Sequence, residues 1–191
     1  MSNQGTLFVI SGPSGVGKGT ICQELLKEKD ALSLALSVSA TTRAPRTTDI
    51  DGVSYFFKST EEFKQMIEEG AFLEWATYNG NYYGTPIAPV QKTLNQGKHV
   101  ILEIEVKGAL QVMENYPSSV CIFIAPPDER TLYTRLTGRG TESEEEIQKR
   151  IAAARWELEQ MDKYTYTVVN DVLDDAVQEI KSIIQKRSVQ S

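Results

Sequence analysis

A glycine-rich segment follows the apolar run TLFVI near the beginning of the chain, and its residue types suit the binding of phosphate groups. The stretch SGPSGVGKGT covers residues 11–20 and nearly matches the phosphate-loop pattern G-x-x-x-x-G-K-[ST]. Glycines let successive backbone N–H groups turn inward, and the helix that follows directs its positive end at the same place. A glycine-rich turn with an incidental lysine is the alternative. The predicted phosphate-binding residues are Ser11, Gly12, Pro13, Ser14, Gly15, Val16, Gly17, Lys18, Gly19 and Thr20.

The loop departs from this pattern at one position, because Gly19 follows Lys18 and the hydroxyl of Thr20 comes one residue later. A serine or threonine directly after the lysine normally ligates Mg²⁺. Since Mg²⁺ gives up its water reluctantly, phosphate oxygens and water can hold the ion in such a loop. We therefore expect no direct protein ligand to Mg²⁺ other than the Thr20 hydroxyl, with a water molecule as the alternative.

The arginines form two groups along the sequence. None occurs before Arg43 or between Arg46 and Arg130, whereas five lie between positions 130 and 155. A guanidinium group is planar, always charged and able to bind a phosphate through two parallel hydrogen bonds. The two groups therefore indicate two phosphate-binding places, and an ordinary charged helix surface is the alternative.

Composition limits the classes of protein to consider. The chain has 191 residues and a formal net charge of −6, so it lacks the basic balance typical of nucleic-acid-binding proteins. Cys22 and Cys121 are its only cysteines, which favours a reducing compartment. The start MSNQGTLF lacks a basic leader, and no apolar run approaches the ~18 residues of a membrane span. We expect a cytoplasmic protein, monomeric or homo-oligomeric, that binds neither nucleic acid nor membranes.

Four short apolar runs without polar alternation are typical of buried parallel strands. They are TLFVIS at 6–11, VILEIE at 100–105, VCIFIA at 120–125 and YTVVN at 166–170. Helical patterns separate these runs, and strands that alternate with helices predict right-handed βαβ units. The predicted fold class is α/β, with a phosphate-loop, parallel-sheet core flanked by helices.

Two segments interrupt this alternation and are predicted as attachments to the core. Residues 37–86 contain the short strand VSYFFK, a helix opened by the capping box Ser59–Glu62, and a hairpin turn at Asn79-Gly80. Residues 137–155 contain two glycines around an arginine and then a second capping box, Thr141–Glu144, which is typical of a hinged lid. We predict a single domain whose core is formed by residues of about 1–36, 87–136 and 156–191.

Several longer motifs resemble those of the guanylate kinase family. They are SVSATTRAPRTTDIDGVSYFF, FLEWATYNGNYYGTP, LEIEVKGA, LTGRGTESEEEIQKR and VVND, and they cover nearly the whole chain in the family's order. The resemblance implies an enzyme that transfers the γ-phosphoryl group of ATP to GMP, and also to dGMP, giving ADP and GDP in purine nucleotide metabolism. It also implies Mg²⁺ as cofactor, a GMP-binding insertion at 37–86 and a lid at 137–155.

The resemblance further implies which residues contact each nucleotide. Those that clamp the GMP phosphate would be Arg43, Arg46, Tyr55 and Tyr83. Those around the guanine would be Ser39, Glu74, Thr85 and Glu105. The family has an aspartate where this chain has Glu105. Because glutamate is one methylene longer, we expect this guanine contact to differ from that of the family. Those that close over ATP would be Arg135, Arg139 and Arg150, with Asn170 near the adenine.

The chemistry of guanine agrees with a carboxylate at position 74. Guanine presents N1–H and the N2 amine side by side, and one carboxylate can accept from both, whereas adenine has neither donor there. A buried Glu74 that faced adenine would lose its partners, at a cost of about 1–3 kcal/mol or more. Judged by residue types alone, Glu74 also fits a surface strand flanked by Phe72, Leu73 and Trp75.

Phosphoryl transfer to a phosphate acceptor requires charge neutralisation rather than a general base. The acceptor's second pKa of ~6 leaves it mostly dianionic at neutral pH. Bringing several anionic groups into line is then the catalytic task. The single histidine, His99, begins a core strand and is interpreted as structural. The expected catalytic residues are Lys18, Arg43, Arg135, Arg139 and Arg150.

Two further carboxylates, Glu103 and Glu105, alternate near the end of the predicted strand at 100–105, where α/β proteins bind ligands. Buried carboxylates in an apolar strand need partners. The waters of phosphate-bound Mg²⁺ or Lys18 could serve Glu103, and guanine could serve Glu105, so we assign both residues to the GMP site. A salt bridge with Lys107 is the alternative.

Other functions are compatible with parts of the sequence. One is a kinase for another nucleoside monophosphate, and a second is a kinase for a non-nucleotide small molecule, which would leave SATTRAPR unexplained. A third is a guanylate-kinase-like scaffold domain that binds phosphopeptides. Such domains typically lack the phosphate loop, whereas this chain has Lys18.

Overall fold

The computed structural model describes residues 4–137 and 144–188, which form two β-sheets. In chain order the elements are β1 (Leu7–Ser11), α1 (Lys18–Lys27), β2 (Leu34–Leu36), β3 (Ala40–Thr41), β4 (Phe56–Phe57), α2 (Thr60–Glu68), β5 (Phe72–Tyr78), β6 (Asn81–Pro86), α3 (Ile87–Asn95), β7 (His99–Glu103), α4 (Val106–Asn115), β8 (Val120–Ala125), α5 (Glu129–Thr137), α6 (Glu144–Glu159), β9 (Tyr166–Val169) and α7 (Leu173–Ser188). A short 3₁₀ helix, Met161–Lys163, lies between α6 and β9.

The larger sheet has five parallel strands in the order β2-β7-β1-β8-β9. Its four longer strands coincide with the predicted apolar runs, so the predicted parallel sheet is confirmed. The fifth strand, β2, was not predicted. It lies at the sheet edge and has only three residues, LAL between Ser33 and Ser37, so its apolar run is too short to predict a strand.

Helices cover both faces of this sheet, which explains the unbroken apolar strands. On one face Phe8 and Ile10 of β1 pack in a core with residues of α1 and α7. On the other face Leu7 and Val9 pack with residues of α3 and α4. The sheet is therefore buried on both sides, and only the ends of its strands can form a site.

The smaller sheet is formed by residues within the segment 37–86 and has the order β4-β3-β6-β5. Of the predicted strand VSYFFK, Phe56–Phe57 forms β4, and Tyr55 forms an isolated bridge with Asp51. The predicted hairpin turn is confirmed, since Asn79 and Gly80 have φ values of 47° and 76° between β5 and β6.

The first predicted capping box is also confirmed. The Ser59 hydroxyl accepts a hydrogen bond from the Glu62 N–H at 3.1 Å, and the Glu62 carboxylate accepts one from the Ser59 N–H at 2.8 Å. α2 then places Phe63 against Phe72 and Tyr82. This helix closes the core of the smaller sheet.

The helix predicted in the lid corresponds to α6, and Ala154 of its apolar stripe is buried. The second predicted capping box begins at Thr141, and Thr141, Gly138, Arg139 and Gly140 lie outside the described residues. None of the helices formed by residues 4–137 and 144–188 is both long and apolar enough to cross a lipid bilayer.

Candidate active site

The glycine-rich loop connects the end of β1 to the start of α1, as predicted. Gly17 precedes α1 with φ 93°, and a Cβ atom there would lie 2.6 Å from Nδ2 of Asn170. At Gly12, with φ 147°, a Cβ atom would lie 2.3 Å from the carbonyl oxygen of Ile124. Both positions require glycine, because φ is positive and a Cβ atom would overlap the Ile124 carbonyl oxygen or the Asn170 side chain.

Lys18 lies in a cavity of ≈ 520 Å³ beside this loop. Its Nζ donates to the carbonyl oxygens of Gly12 at 2.7 Å and Pro13 at 3.0 Å. Burial lowers the pKa of Lys18, and the nearby carboxylates of Glu157, Glu103 and Glu105 oppose this shift. The cavity thus holds one ammonium group that contacts two backbone carbonyl oxygens and lies near three carboxylates. Its lining residues from the predicted loop are Gly12, Ser14, Gly15, Gly17, Lys18, Gly19 and Thr20.

Two of the three predicted donor-side arginines can be placed. Nη2 of Arg150 donates to the Ser14 hydroxyl at 3.4 Å, and its Nη1 donates to the carbonyl oxygen of Leu136 at 3.1 Å. Arg135 donates to the carbonyl oxygen of Asn170 at 3.4 and 3.3 Å. The third, Arg139, lies outside the described residues. α5 and α6 therefore bring guanidinium groups to the rim of the phosphate loop.

Asn170 braces the loop from the end of β9. It is buried, and its Nδ2 donates to the carbonyl oxygen of Val16 at 2.7 Å. Its side chain is therefore engaged with the loop backbone, while its carbonyl oxygen receives Arg135. Ser11, at the other side of the same loop, is fully buried at the end of β1.

Glu157 was not predicted from the sequence. It lies seven residues after Arg150 in α6, which places both side chains on one face of that helix. Its carboxylate lines the Lys18 cavity together with Ser14, and burial raises its pKa. One glutamate among several in the same helix cannot be singled out from the sequence. Whether its side chain reaches the phosphate loop depends on how α6 packs against that loop.

A second cavity of ≈ 380 Å³ lies between the smaller sheet and the beginning of α4. Five of the residues predicted for the GMP site line it: Ser39, Tyr55, Glu74, Tyr83 and Glu105. Thr85 contacts this group through Glu74, since its hydroxyl donates to Glu74 Oε1 at 2.7 Å. The structure therefore brings together residues that are up to 66 positions apart, from Ser39 to Glu105.

Glu74 is 7% exposed, so the alternative of a surface strand residue is wrong. Burial raises its pKa, and the hydrogen bonds from Thr85 oppose this rise. Thr85 approaches Oε1, whereas Oε2 lies on the side of Gly108, where a Cβ atom would be 3.0 Å away. A buried carboxylate with an oxygen at a cavity wall can accept donors from a ligand.

Arg43 and Arg46 lie near the same cavity, in the loop between β3 and β4. Nη2 of Arg43 donates to Asp49 Oδ2 at 2.8 Å, and its guanidinium group lies 5.4 Å from the centre of the Tyr55 ring. The same Asp49 oxygen accepts the Arg46 N–H at 2.7 Å. These contacts lower the pKa of Asp49. Asp49 was not predicted from the sequence.

The expected burial of Glu103 and Glu105 is wrong, because both are exposed. β7 ends at Glu103, and Glu105 lies at the N-cap position of α4, so neither side chain points into the sheet core. The alternative salt bridge is not found either, since no ion pair in the described part of the chain joins Lys107 to these carboxylates. Both residues line the Lys18 cavity, and Glu105 also lines the second cavity.

His99 has the structural role that was predicted. It begins β7, is buried and stacks edge-on against Phe8. Its Nδ1 accepts the Thr6 N–H at 2.9 Å, and burial lowers its pKa. These contacts hold the imidazole at the end of the sheet away from both cavities.

Comparisons with known proteins agree with this arrangement. The sequence profile of the guanylate kinase family matches residues 4–187. The guanylate kinase of Caldanaerobacter subterraneus subsp. tengcongensis is 57% identical over 185 residues, which are 96% of this chain and 88% of that protein. That of Halalkalibacterium halodurans is 55% identical over 181 residues, 95% of this chain and 88% of that protein.

A solved structure leads to the same result. The crystal structure of guanylate kinase from Anaplasma phagocytophilum aligns with a TM-score of 0.72 and 28% identity, covering 97% of this chain and 87% of that one. The profile match includes the phosphate loop, Glu74 and α6, so it extends over both cavities. The chain therefore belongs to the guanylate kinase family.

Proposed function

We propose that this protein transfers the γ-phosphoryl group of ATP to GMP or dGMP and releases ADP and GDP in purine nucleotide metabolism. The two bacterial relatives described above are guanylate kinases. The observation that carries the proposal is the buried Glu74 carboxylate in a cavity separate from the phosphate loop. In this proposal residues 37–86 form the GMP-binding insertion and residues 137–155 form the lid. The remaining residues form the core.

The donor nucleotide would occupy the Lys18 cavity. The loop N–H groups at the start of α1 and the Lys18 ammonium group suit the phosphates of ATP. Arg135 and Arg150 stand at the rim, where their charges would neutralise the transferring phosphoryl group, and Arg139 is proposed for the same role. Asn170 supports this site by holding the Val16 carbonyl oxygen.

The acceptor nucleotide would occupy the second cavity. Glu74 would accept hydrogen bonds from N1–H and the N2 amine of guanine, with Ser39, Thr85 and Glu105 beside it. The phosphate of GMP would lie toward Arg43 and Arg46 and between the Tyr55 and Tyr83 hydroxyls. Asp49 holds Arg43 over the Tyr55 ring, which limits the positions that the guanidinium group can take.

The chemical step requires alignment and charge neutralisation, since a phosphate dianion is already a nucleophile. A cation bound with ATP fits the Lys18 cavity, because the Thr20 hydroxyl could bind Mg²⁺ directly and the nearby Glu103 carboxylate could accept hydrogen bonds from its water ligands. Mg²⁺, when bound, supplies neutralisation of the phosphate charge. Among the described residues no cluster of three acidic, histidine or cysteine side chains could hold a metal directly.

The free thiols of Cys22 and Cys121 are buried, and burial raises the pKa of both. Unpaired thiols suit a reducing compartment such as the cytoplasm, which is where we place this activity.

The proposal is tested by steady-state turnover with ATP and four acceptors: GMP, AMP, UMP and dTMP. We expect kcat/KM for GMP to exceed that for AMP by about 10⁴-fold or more, because a site built to pair with N–H donors rejects a base that lacks them. Faster phosphorylation of AMP, UMP or dTMP than of GMP would overturn the assignment.

A further inference from the structure

Three residues of α4 lie on one face of that helix and approach the strand segment that bears Glu74. They are Gly108, Gln111 and Asn115, whose spacing of three and four residues places them in a row. We call this row the α4 face. Each of the three contacts β5 within residues 73–75.

Gln111 and Asn115 bind the backbone on both sides of Glu74. The Gln111 side chain forms two hydrogen bonds with Trp75, accepting from its N–H at 3.1 Å and donating to its carbonyl oxygen at 3.1 Å. Nδ2 of Asn115 donates to the carbonyl oxygen of Leu73 at 3.0 Å. β5 is an edge strand of the smaller sheet, so these side-chain amides satisfy backbone groups that no neighbouring strand reaches.

Gly108 is the third contact and faces the carboxylate itself. A Cβ atom at this position would lie 3.0 Å from Glu74 Oε2 and 3.5 Å from its Cγ. Glycine therefore lets the Glu74 carboxylate pack directly against the backbone of α4. A larger residue at position 108 would push the carboxylate away from the helix. On the opposite side the Thr85 hydroxyl holds Oε1 at 2.7 Å.

We propose that the α4 face fixes the position of Glu74 for recognition of the guanine N2 amine, so that Gln111 and Asn115 are positioning residues for base specificity. This inference rests on the proposed function, in which Glu74 reads the base. It explains why two amide side chains of a core helix bind an edge strand of the other sheet. Neither amide lines either cavity, so their effect on the nucleotide passes through Glu74.

The experiment compares GMP with IMP, which keeps N1–H and lacks the N2 amine. The ratio of kcat/KM for GMP to that for IMP thus measures the contact with this amine. In the Gln111→Leu variant, water can replace the lost bonds at the strand edge, so the fold is kept while the strand is no longer held. A displacement of about 1 Å can cost up to ~10²-fold. We expect the ratio to fall about 10-fold, with the KM for ATP unchanged.

Two controls accompany this variant. Gln178→Leu removes an exposed glutamine from α7 and should leave the ratio unchanged. Glu74→Gln should abolish the preference for GMP over IMP. If Gln111→Leu does not fold, Gly108→Ala replaces it, because alanine favours the helix and still presses on the carboxylate. The same fall in the ratio is expected.

The outcomes separate this inference from the proposed function. An unchanged ratio in Gln111→Leu, together with a collapsed ratio in Glu74→Gln, would overturn the role of the α4 face and leave the function intact. An equal loss of activity toward GMP and IMP would also overturn it, since a merely structural role predicts that result. An unchanged ratio in Glu74→Gln would contradict both.

Discussion

Lys18 donates to two carbonyl oxygens of its own loop, which hold its ammonium group in the cavity proposed to receive the phosphates of ATP. We predict that Lys18→Ala lowers kcat by about 10²–10³-fold, because one charged contact to the transferring group is lost. Lys27→Ala, at the exposed end of the same helix, should keep full activity. A coupled assay of ADP release measures both variants, and near-normal turnover of Lys18→Ala would contradict the assignment of the loop.

Glu74 illustrates a conflict between stability and function in a single residue. Burial raises its pKa above the ordinary value of 4.5, so the folded protein disfavours the charged form. Stability is therefore lost as the pH rises from that value through the raised pKa. Glutamine avoids this loss and can still accept the Thr85 hydrogen bond.

We therefore predict that Glu74→Gln melts about 2–4 °C higher than the parent protein at pH 8, if the gain is about 1 kcal/mol. The difference should shrink as the pH falls through the raised pKa, because both side chains are then neutral. Thermal melts across this pH range test the prediction. A lower melting temperature of Glu74→Gln at pH 8 would show that the buried charge is stabilised by its surroundings.

At the scale of elements, α2 depends on its capping box and closes the core of the smaller sheet. We predict that Ser59→Ala lowers the free energy of unfolding by about 1 kcal/mol, because the Glu62 N–H loses its acceptor. Neither cavity contains Ser59, so kcat/KM for both substrates should be unchanged.

Urea denaturation measures this cost. The matched control is Ser182→Ala in the middle of α7, where the hydroxyl only bonds back to the Gln178 carbonyl oxygen. That change should alter stability by less than about 0.5 kcal/mol. If both serine variants lose the same stability, the loss does not come from the cap.

Periodicity predicted the elements whose pattern is continuous, and it failed where an element ends or is short. The apolar runs of β1, β7, β8 and β9 could be read directly, whereas β2 has only Leu34–Leu36 at a half-exposed edge. Glu103 and Glu105 were expected to be buried because the run VILEIE extends to position 105. β7 ends at Glu103 and Glu105 caps α4, so both carboxylates lie at the exposed end of the strand and not inside the sheet.

At the scale of the whole molecule, the motifs predicted which residues share a cavity, but partners from distant segments could not be predicted. Ser39, Tyr55, Glu74 and Tyr83 were named from the sequence and line one cavity. Glu157 was missed, because it joins Ser14 and Lys18 in one cavity only when α6 packs across the loop. Such contacts depend on tertiary geometry and leave no local pattern.

The separation of the two cavities leads to a prediction about the arginines. Arg43 and Arg46 lie on the loop between β3 and β4, where Arg43 packs over Tyr55 of the second cavity and both residues bind Asp49. We predict that Arg43→Ala or Arg46→Ala raises the KM for GMP by about 10–100-fold, as expected when a charged hydrogen bond worth ~1.5–3 kcal/mol is lost. The KM for ATP should be unchanged.

Arg130→Ala is the matched control, because Arg130 is an exposed arginine of α5 outside the second cavity. It should leave the KM for GMP unchanged. A rise in the KM for ATP, rather than for GMP, in the Arg43 and Arg46 variants would contradict the division into acceptor and donor arginines.

The central claim is that two separate sites hold two anionic nucleotides at once, and calorimetric titration of GMP tests it most directly. The titration is performed on the purified protein with and without a saturating non-hydrolysable ATP analogue and Mg²⁺. We predict one GMP bound per chain in both conditions, with no loss of affinity when the analogue is present. Absence of GMP binding, or displacement of GMP by the analogue, would contradict the account.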